Sequence, residues 1–284
     1  MAVWSHLYSL SFEPNPNWTH LYPGQEEILA YWVKVAQKYG LYEHIRFNTE
    51  VEEAHWDATA NKWITKVKLV GGKEAEYNDQ YTLSSDFFVS SVGQLNLPKM
   101  PEIPGLDSFK GKKMHSARWD RSYNLRGKKI AVIGNGATAA QIIPELVKVA
   151  EHVTVFQRSA NWVIDRDDAP ISEAKQAMYK YLPFARTRLR AGMMDFREYF
   201  YEAIASDESP LATMLKDNHH AKIERDISDP ELRKTLTPNY PVGCKRVLIS
   251  DNFLPALNAA NCTVVTDKIK EITENGVATE AHVC

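Results

Sequence analysis

Lys129-Ile130-Ala131-Val132-Ile133-Gly134-Asn135-Gly136-Ala137-Thr138-Ala139 decides the fold. The first five residues have the length and apolar content of a strand, and the glycines that follow open a helical pattern running to Ala150. His152–Gln157 then reads as a second strand. Strand, glycine turn, helix and strand make a βαβ unit, which predicts an α/β fold on a parallel sheet. In that context G-x-G-x-x-A has a physical reading. Gly134 permits the tight turn, Gly136 lets a pyrophosphate approach the backbone, and Ala139 keeps the helix close to the strand. Asn135, Ala137, Thr138 and Ala140 complete the candidate phosphate-binding turn, at a helix N-terminus whose free N–H groups favour an anion.

The end of the second strand decides which dinucleotide fits, because a carboxylate there would take a ribose 2′-hydroxyl and an arginine a 2′-phosphate. The residues are Val153-Thr154-Val155-Phe156-Gln157-Arg158-Ser159. Arg158 offers a guanidinium, Ser159 a hydroxyl, and no acid is present, so NADP(H) is expected over NAD(H) or FAD at this turn.

Outward from this unit, the chain of 284 residues is long enough for one or two domains, with 44% hydrophobic and 25% charged residues. Lys+Arg 34 against Asp+Glu 36 removes the electrostatic case for nucleic acid and points to small-molecule partners. Cys244, Cys262 and Cys284 show neither disulfide nor zinc spacing, so a cytoplasmic setting is expected. No run of about 18 apolar residues and no signal peptide is seen, so no membrane span is expected.

Gln25–Tyr39 reads as an amphipathic helix capped at Gly40. Ile45–Val51, His55-Trp56, Lys62–Val70 before Gly71-Gly72, and Asp86–Val92 read as short strands. The proline-rich stretch 97–105 is a linker, since proline fixes φ and removes a donor. Ser172 to about Lys222 has helical spacing with a break at Gly192. A proline-bounded loop, a short segment Arg246–Ile249, and strands Thr263–Thr266 and Ile269–Ile272 follow.

Between linker and βαβ unit, Phe109, Gly111, His115, Trp119 and Asp120 stand in the spacing F-x-G-x-x-x-H-x-x-x-W-D. With this segment the chain resembles the Baeyer–Villiger-type flavoprotein monooxygenases. Leu7–Phe12, Gln25–Ile28, Phe47–Val51, Gly93-Gln94-Leu95 and Gly243-Cys244-Lys245-Arg246 match that family in order, and His6–Pro16 points to its aryl-ketone and fungal polyketide-tailoring branch, in secondary metabolism. The resemblance implies an FAD- and NADPH-dependent enzyme that uses O2 to insert oxygen next to a ketone. It implies FAD contacts at Tyr8 and Val51, a second 2′-phosphate cation at Lys245, and a catalytic arginine at Arg246 whose guanidinium stabilises an anionic flavin peroxide. His115 and Trp119 are implied to couple the two dinucleotide domains.

The organisation expected from the resemblance is a partial FAD-binding domain over 1–104, the signature linker over 105–127, and an NADP-binding Rossmann domain over 128–262. A helical insertion at about 171–238 interrupts it, and 263–284 begin the return to the FAD domain. Three departures stand out. No G-x-G-x-x-G precedes Gly134, an acidic position of the family falls on Ala2, and Gly276–Cys284 stands in place of the family's returning strand to the FAD domain and the helical region after it. Truncation at both ends is therefore expected, and three readings stay open: an incomplete enzyme sequence, a catalytically inactive NADP-binding module, or half of an activity completed by another chain.

Overall fold

The computed structural model describes residues 3–71, 79–93 and 95–280; Ala2, Gly72, Gln94 and Cys284, named above, lie outside them. Two short helices open the order, α1 Ser5–Tyr8 and α2 Gln25–Lys38, followed by strands β1 Thr49–Asp57, β2 Lys62–Leu69 and β3 Gln80–Ser85. The βαβ unit is β4 Lys129–Ile133, α3 Ala139–Leu146 and β5 His152–Phe156. Then come β6 Val163–Ile164, helices α4 Glu173–Tyr181, α5 Pro183–Tyr199, α6 Tyr201–Ala205, α7 Pro210–Asp226 and α8 Pro230–Leu236, and β7 Leu248–Ile249. α9 Phe253–Leu257, β8 Cys262–Val265, β9 Ile269–Ile272 and β10 Val277–Thr279 close the order.

The chain divides into two compact units, Met1–Ile28 with Pro98–Cys284, and Leu29–Leu97. The first 28 residues thus group with 98–284, a different division from a boundary at 104. In the smaller unit β1, β2 and β3 form an antiparallel sheet in that order, with a bulge between Val51 and Glu53. The two separate strands expected over 45–56 are one continuous strand, because the bulge absorbs the break in alternation. Asp86–Val92 is not a strand but irregular chain, and Phe87, Val89 and Val92 are 85%, 80% and 76% exposed.

In the larger unit β4, β5 and β8 form a parallel sheet in the order β4-β5-β8. Ala140, Ile143 and Leu146 of α3 pack with Val153 and Val155 of β5 and with Phe253, Leu254 and Leu257 of α9. Ile223 and Ile227 from the end of α7 join the same core, which docks the helical insertion onto the sheet. Helices α7 and α8 of the insertion begin where the sequence supplies caps. Ser209 accepts from the Ala212 N–H at 3.1 Å and Asp229 from the Glu231 N–H at 3.0 Å, each followed by proline at the first helical position. The break expected at Gly192 is absent, for α5 runs through it. A glycine inside a helix costs only about 1 kcal/mol relative to alanine, less than a 17-residue packed helix gains.

His219 on α7 is fully buried against Trp162, its Nδ1 meeting the backbone of Val163 at 3.0 Å, and its Nε2 has no hydrogen-bond partner among the described residues. Burial pushes its pKa down from 6.5 to about 4, and burial first, with Arg186 and Arg190 after it, does the same for His6. The unfolded chain therefore takes up protons between pH 6.5 and 4 that the folded chain refuses. Stability is present above 6.5 and lost as the pH falls through that window. Thermal melts should show Tm dropping over it, and His219→Gln should flatten the drop; an unchanged slope in the variant would remove His219 from the acid transition.

Candidate nucleotide-binding site

Gly134 closes β4 with φ +104°, a left-handed conformation that favours glycine, and its N–H donates to the Phe156 carbonyl at 2.9 Å. That bond joins the C-terminal ends of β4 and β5, the place where ligands sit on open parallel sheets. Gly136 differs. Its φ is not left-handed, and a Cβ built on it, as on Gly134, would meet nothing within 4 Å. The fold itself does not require glycine there, whereas a phosphate approaching the backbone would. Ala140 is buried in the core, with Ala137 and Ala139 packed against it, so these small residues let α3 lie close to the sheet. Thr138 is exposed just ahead of α3.

Asn135 fixes the turn from within. Its side-chain amide donates to Gln157 Oε1 and to the Ser159 carbonyl, both at 2.9 Å, while its own carbonyl accepts from Asn161 Nδ2 at 2.8 Å. Gln157 is 3% exposed and donates onward to the Thr235 carbonyl at 3.2 Å. The glycine turn, the residues after β5 and the end of the insertion are thereby one hydrogen-bonded frame. Arg158 stands on this frame with its side chain exposed and no hydrogen bond or ion pair among the described residues.

From the far side of the sequence, Lys245 donates through Nζ to Ser159 Oγ and lies over the Tyr240 ring, 4.7 Å from its centroid. Ser159 and Lys245, 86 residues apart, are thus brought together beside Arg158. Gly243 sets the approach, with φ +93° and a built Cβ only 2.9 Å from the Ile204 Cα on α6. Arg246 follows, exposed, its pKa held below the ordinary arginine value by partial burial and then by the Arg197 guanidinium.

Of the signature residues of 109–120, Phe109 packs at long range, whereas His115 and Asp120 interact locally. Phe109 packs with Ile103 and Leu106 against buried Phe156, Ile272 and Val277. A Cβ on Gly111 would strike the Phe109 ring at 2.5 Å, which accounts physically for the F-x-G spacing. His115 accepts through Nδ1 from the Ala117 N–H at 3.1 Å, and Trp119 is 39% exposed. Asp120 accepts from Lys112 Nζ at 2.5 Å and from the Ser122 N–H at 3.0 Å, and these partners hold its carboxyl at about 2. Tyr8 ends α1 in the larger unit, and Val51 is an exposed residue of β1 in the smaller one. Gln157, Asn161 and Tyr240 were not singled out from the sequence; for the first two the signal was an amide side chain after the second strand, and for Tyr240 there was none. Among the described residues no helix is long and apolar enough to cross a membrane, and no cluster of His, Cys, Asp or Glu could hold a metal ion.

A family model for flavin-binding monooxygenase-like proteins matches residues 8–177. The chain is 47% identical over 279 residues to the FAD-binding monooxygenase ktnD of Aspergillus niger, covering 98% of this chain and 46% of that protein. It is 42% identical to a Baeyer–Villiger monooxygenase of Streptomyces coelicolor, over 94% of this chain and 49% of that one. Among solved structures, an oxidized steroid monooxygenase bound to NADP matches with TM-score 0.81 and 28% identity, over 100% of this chain and 60% of that one. A cyclohexanone monooxygenase from a Rhodococcus species bound to NADP+ matches with TM-score 0.78 and 26% identity, over 99% and 59%. The chain spans about half the length of the curated relatives it matches. It belongs to the flavin-binding monooxygenase-like family, and within that family its likeness is to the Baeyer–Villiger monooxygenases.

Proposed function

We propose that this chain carries the NADPH-binding part of a flavin-dependent Baeyer–Villiger monooxygenase, acting with O2 on a small-molecule ketone. The observation that supports it most is the open space at Gly136, in a turn beside Arg158 and Ser159 at the end of β5, where Lys245 from the loop before β7 meets Ser159. The turn before α3 would hold the pyrophosphate and those three side chains the 2′-phosphate. NADPH, when bound, supplies a hydride. Asn135, by fixing the turn to Gln157 and Ser159, keeps the backbone donors oriented.

Among the described residues one glycine cradle of this kind is formed, and we assign it to NADP(H). Tyr8 and Val51 are assigned to FAD by the family match alone. Arg246 offers a permanent cation to negative charge that develops during oxygen transfer, and needs no proton exchange to do so. His115 and Trp119, with Phe109, Gly111 and Asp120, form a domain-coupling segment rather than an acid–base pair. Free Cys244 and Cys262 fit a reducing, cytoplasmic setting.

Calorimetry with the two reduced coenzymes tests the assignment. NADPH should bind more tightly than NADH by about 2–4 kcal/mol, the sum of two charge-assisted contacts. Arg158→Ala should remove most of that preference; equal binding of the coenzymes by the unaltered chain would refute a 2′-phosphate site.

A further inference from the structure

We infer that Tyr240 is a positioning residue for the 2′-phosphate subsite, holding Lys245 at Ser159 so that its ammonium is set in place before the coenzyme arrives. The inference rests on the NADPH reading above and adds to it a specificity determinant that carries no charge.

Lys245 is an exposed residue on a loop, and a lysine in that position ordinarily loses side-chain rotamer freedom on pairing with a phosphate. Here the ring of Tyr240 lies under its Nζ at 4.7 Å, inside the range where an ammonium is attracted to an aromatic face. Tyr240 is itself held at two points, one on its side chain and one on its backbone. The Tyr240 hydroxyl donates to the Ala160 carbonyl at 2.8 Å, and the Tyr240 carbonyl accepts from Trp162 Nε1 at 3.1 Å. Trp162 is buried at 4% exposure, so the second anchor is set in the core of the insertion.

Both anchors are made to the residues just after Ser159. Tyr240 therefore ties the loop that carries Lys245 to the segment that carries Ser159, and aims the cation across the join. Ser159 is bound in turn to the glycine turn through Asn135, so the 2′-phosphate groups are held in register with the pyrophosphate turn. Lys245 donates to Ser159 Oγ, which leaves the Ser159 hydroxyl hydrogen available for a phosphate oxygen.

The test titrates the whole chain with adenosine 2′,5′-bisphosphate and with adenosine 5′-monophosphate, which differ at the 2′-phosphate. Tyr240→Leu should weaken the bisphosphate by roughly 3- to 10-fold, the span of a cation–π contact together with loss of alignment, and leave the monophosphate unchanged. Tyr240→Phe, which keeps the ring but loses the hydroxyl anchor to Ala160, should fall between the unaltered chain and Tyr240→Leu. In a Lys245→Ala background Tyr240→Leu should have no further effect. Equal weakening of both probes, or an effect that persists without Lys245, would show a merely structural tyrosine and overturn the inference. Should Tyr240→Leu fail to fold, Lys245→Ala decides, since unchanged bisphosphate affinity there also overturns it. Failure of the underlying reading looks different, because the unaltered chain would then bind both probes equally.

Discussion

Replacing Gly136 by valine is expected to raise the Kd for NADPH by at least 100-fold while leaving the thermal melt within a few degrees of the unaltered chain. The two halves of the expectation have separate causes. A valine Cβ at 136 meets no atom within 4 Å and the backbone is not left-handed, so the folded protein has room for the side chain. That same room is where a pyrophosphate would come against the turn. Losing two charge-assisted contacts at roughly 1.5–3 kcal/mol each is worth 100-fold or more. Gly134→Val is the contrasting control. With φ +104° it forces a β-branched residue into the left-handed region, and it should lower stability as well as binding. Affinity retained within a factor of three in a folded Gly136→Val chain would mean that the turn is only structural.

The βαβ unit was legible because each of its signals is local. Strand length, two glycines and small residues at the helix start specify β4, the turn and α3 without reference to anything distant. β8 adds to β5 on the side away from β4, and this order is a finding of the structure, since a right-handed crossover would allow either edge. Asp86–Val92 shows the opposite case. An apolar run states that a segment would gain from burial, not what would bury it, and none of the described strands pairs with it. Gly192 misled for a related reason, since a small propensity cost yields to the packing of a long helix.

In the candidate site, the residues with charge or special backbone freedom were visible and the frame that holds them was not. Arg158 and Ser159 follow from their place after β5. Lys245 was reached only through the family match, and its junction with Ser159 is a tertiary fact. Asn135 was named for its place in the turn. Its bonds to Gln157 and Ser159 depend on the spatial meeting of two strand ends, which no periodicity encodes.

Lys222→Met should destabilise the chain by about 3–5 kcal/mol, because it strips one partner from a buried ion network. Lys222 is 1% exposed on α7, and its Nζ reaches Asp165 Oδ1 at 2.6 Å, Asp226 Oδ2 at 2.9 Å and the Asp251 carbonyl at 3.3 Å. Asp165 directly follows β6, and Asp251 lies two residues beyond β7, so a single ammonium pins the exits of two paired strands to the insertion. Arg225 still holds Asp165 through two hydrogen bonds at 3.0 and 2.8 Å, which limits the damage there. Asp226, with its side chain 9% exposed, loses one of its two cations and keeps Arg225 Nε at 2.8 Å. At about 2–4 °C per kcal/mol for a unit of this size, Tm should fall by roughly 6–20 °C. Asp226→Leu placed in the Lys222→Met background should recover part of the loss by removing a largely buried carboxylate left with Arg225 alone, whereas the same change alone should not stabilise the chain. The effect extends toward the site, since Lys245 and Arg246 enter β7 just before Leu248, and slackening β7 should weaken adenosine 2′,5′-bisphosphate more than adenosine 5′-monophosphate. A Lys222→Met chain that melts where the unaltered one does would show that the network contributes nothing net.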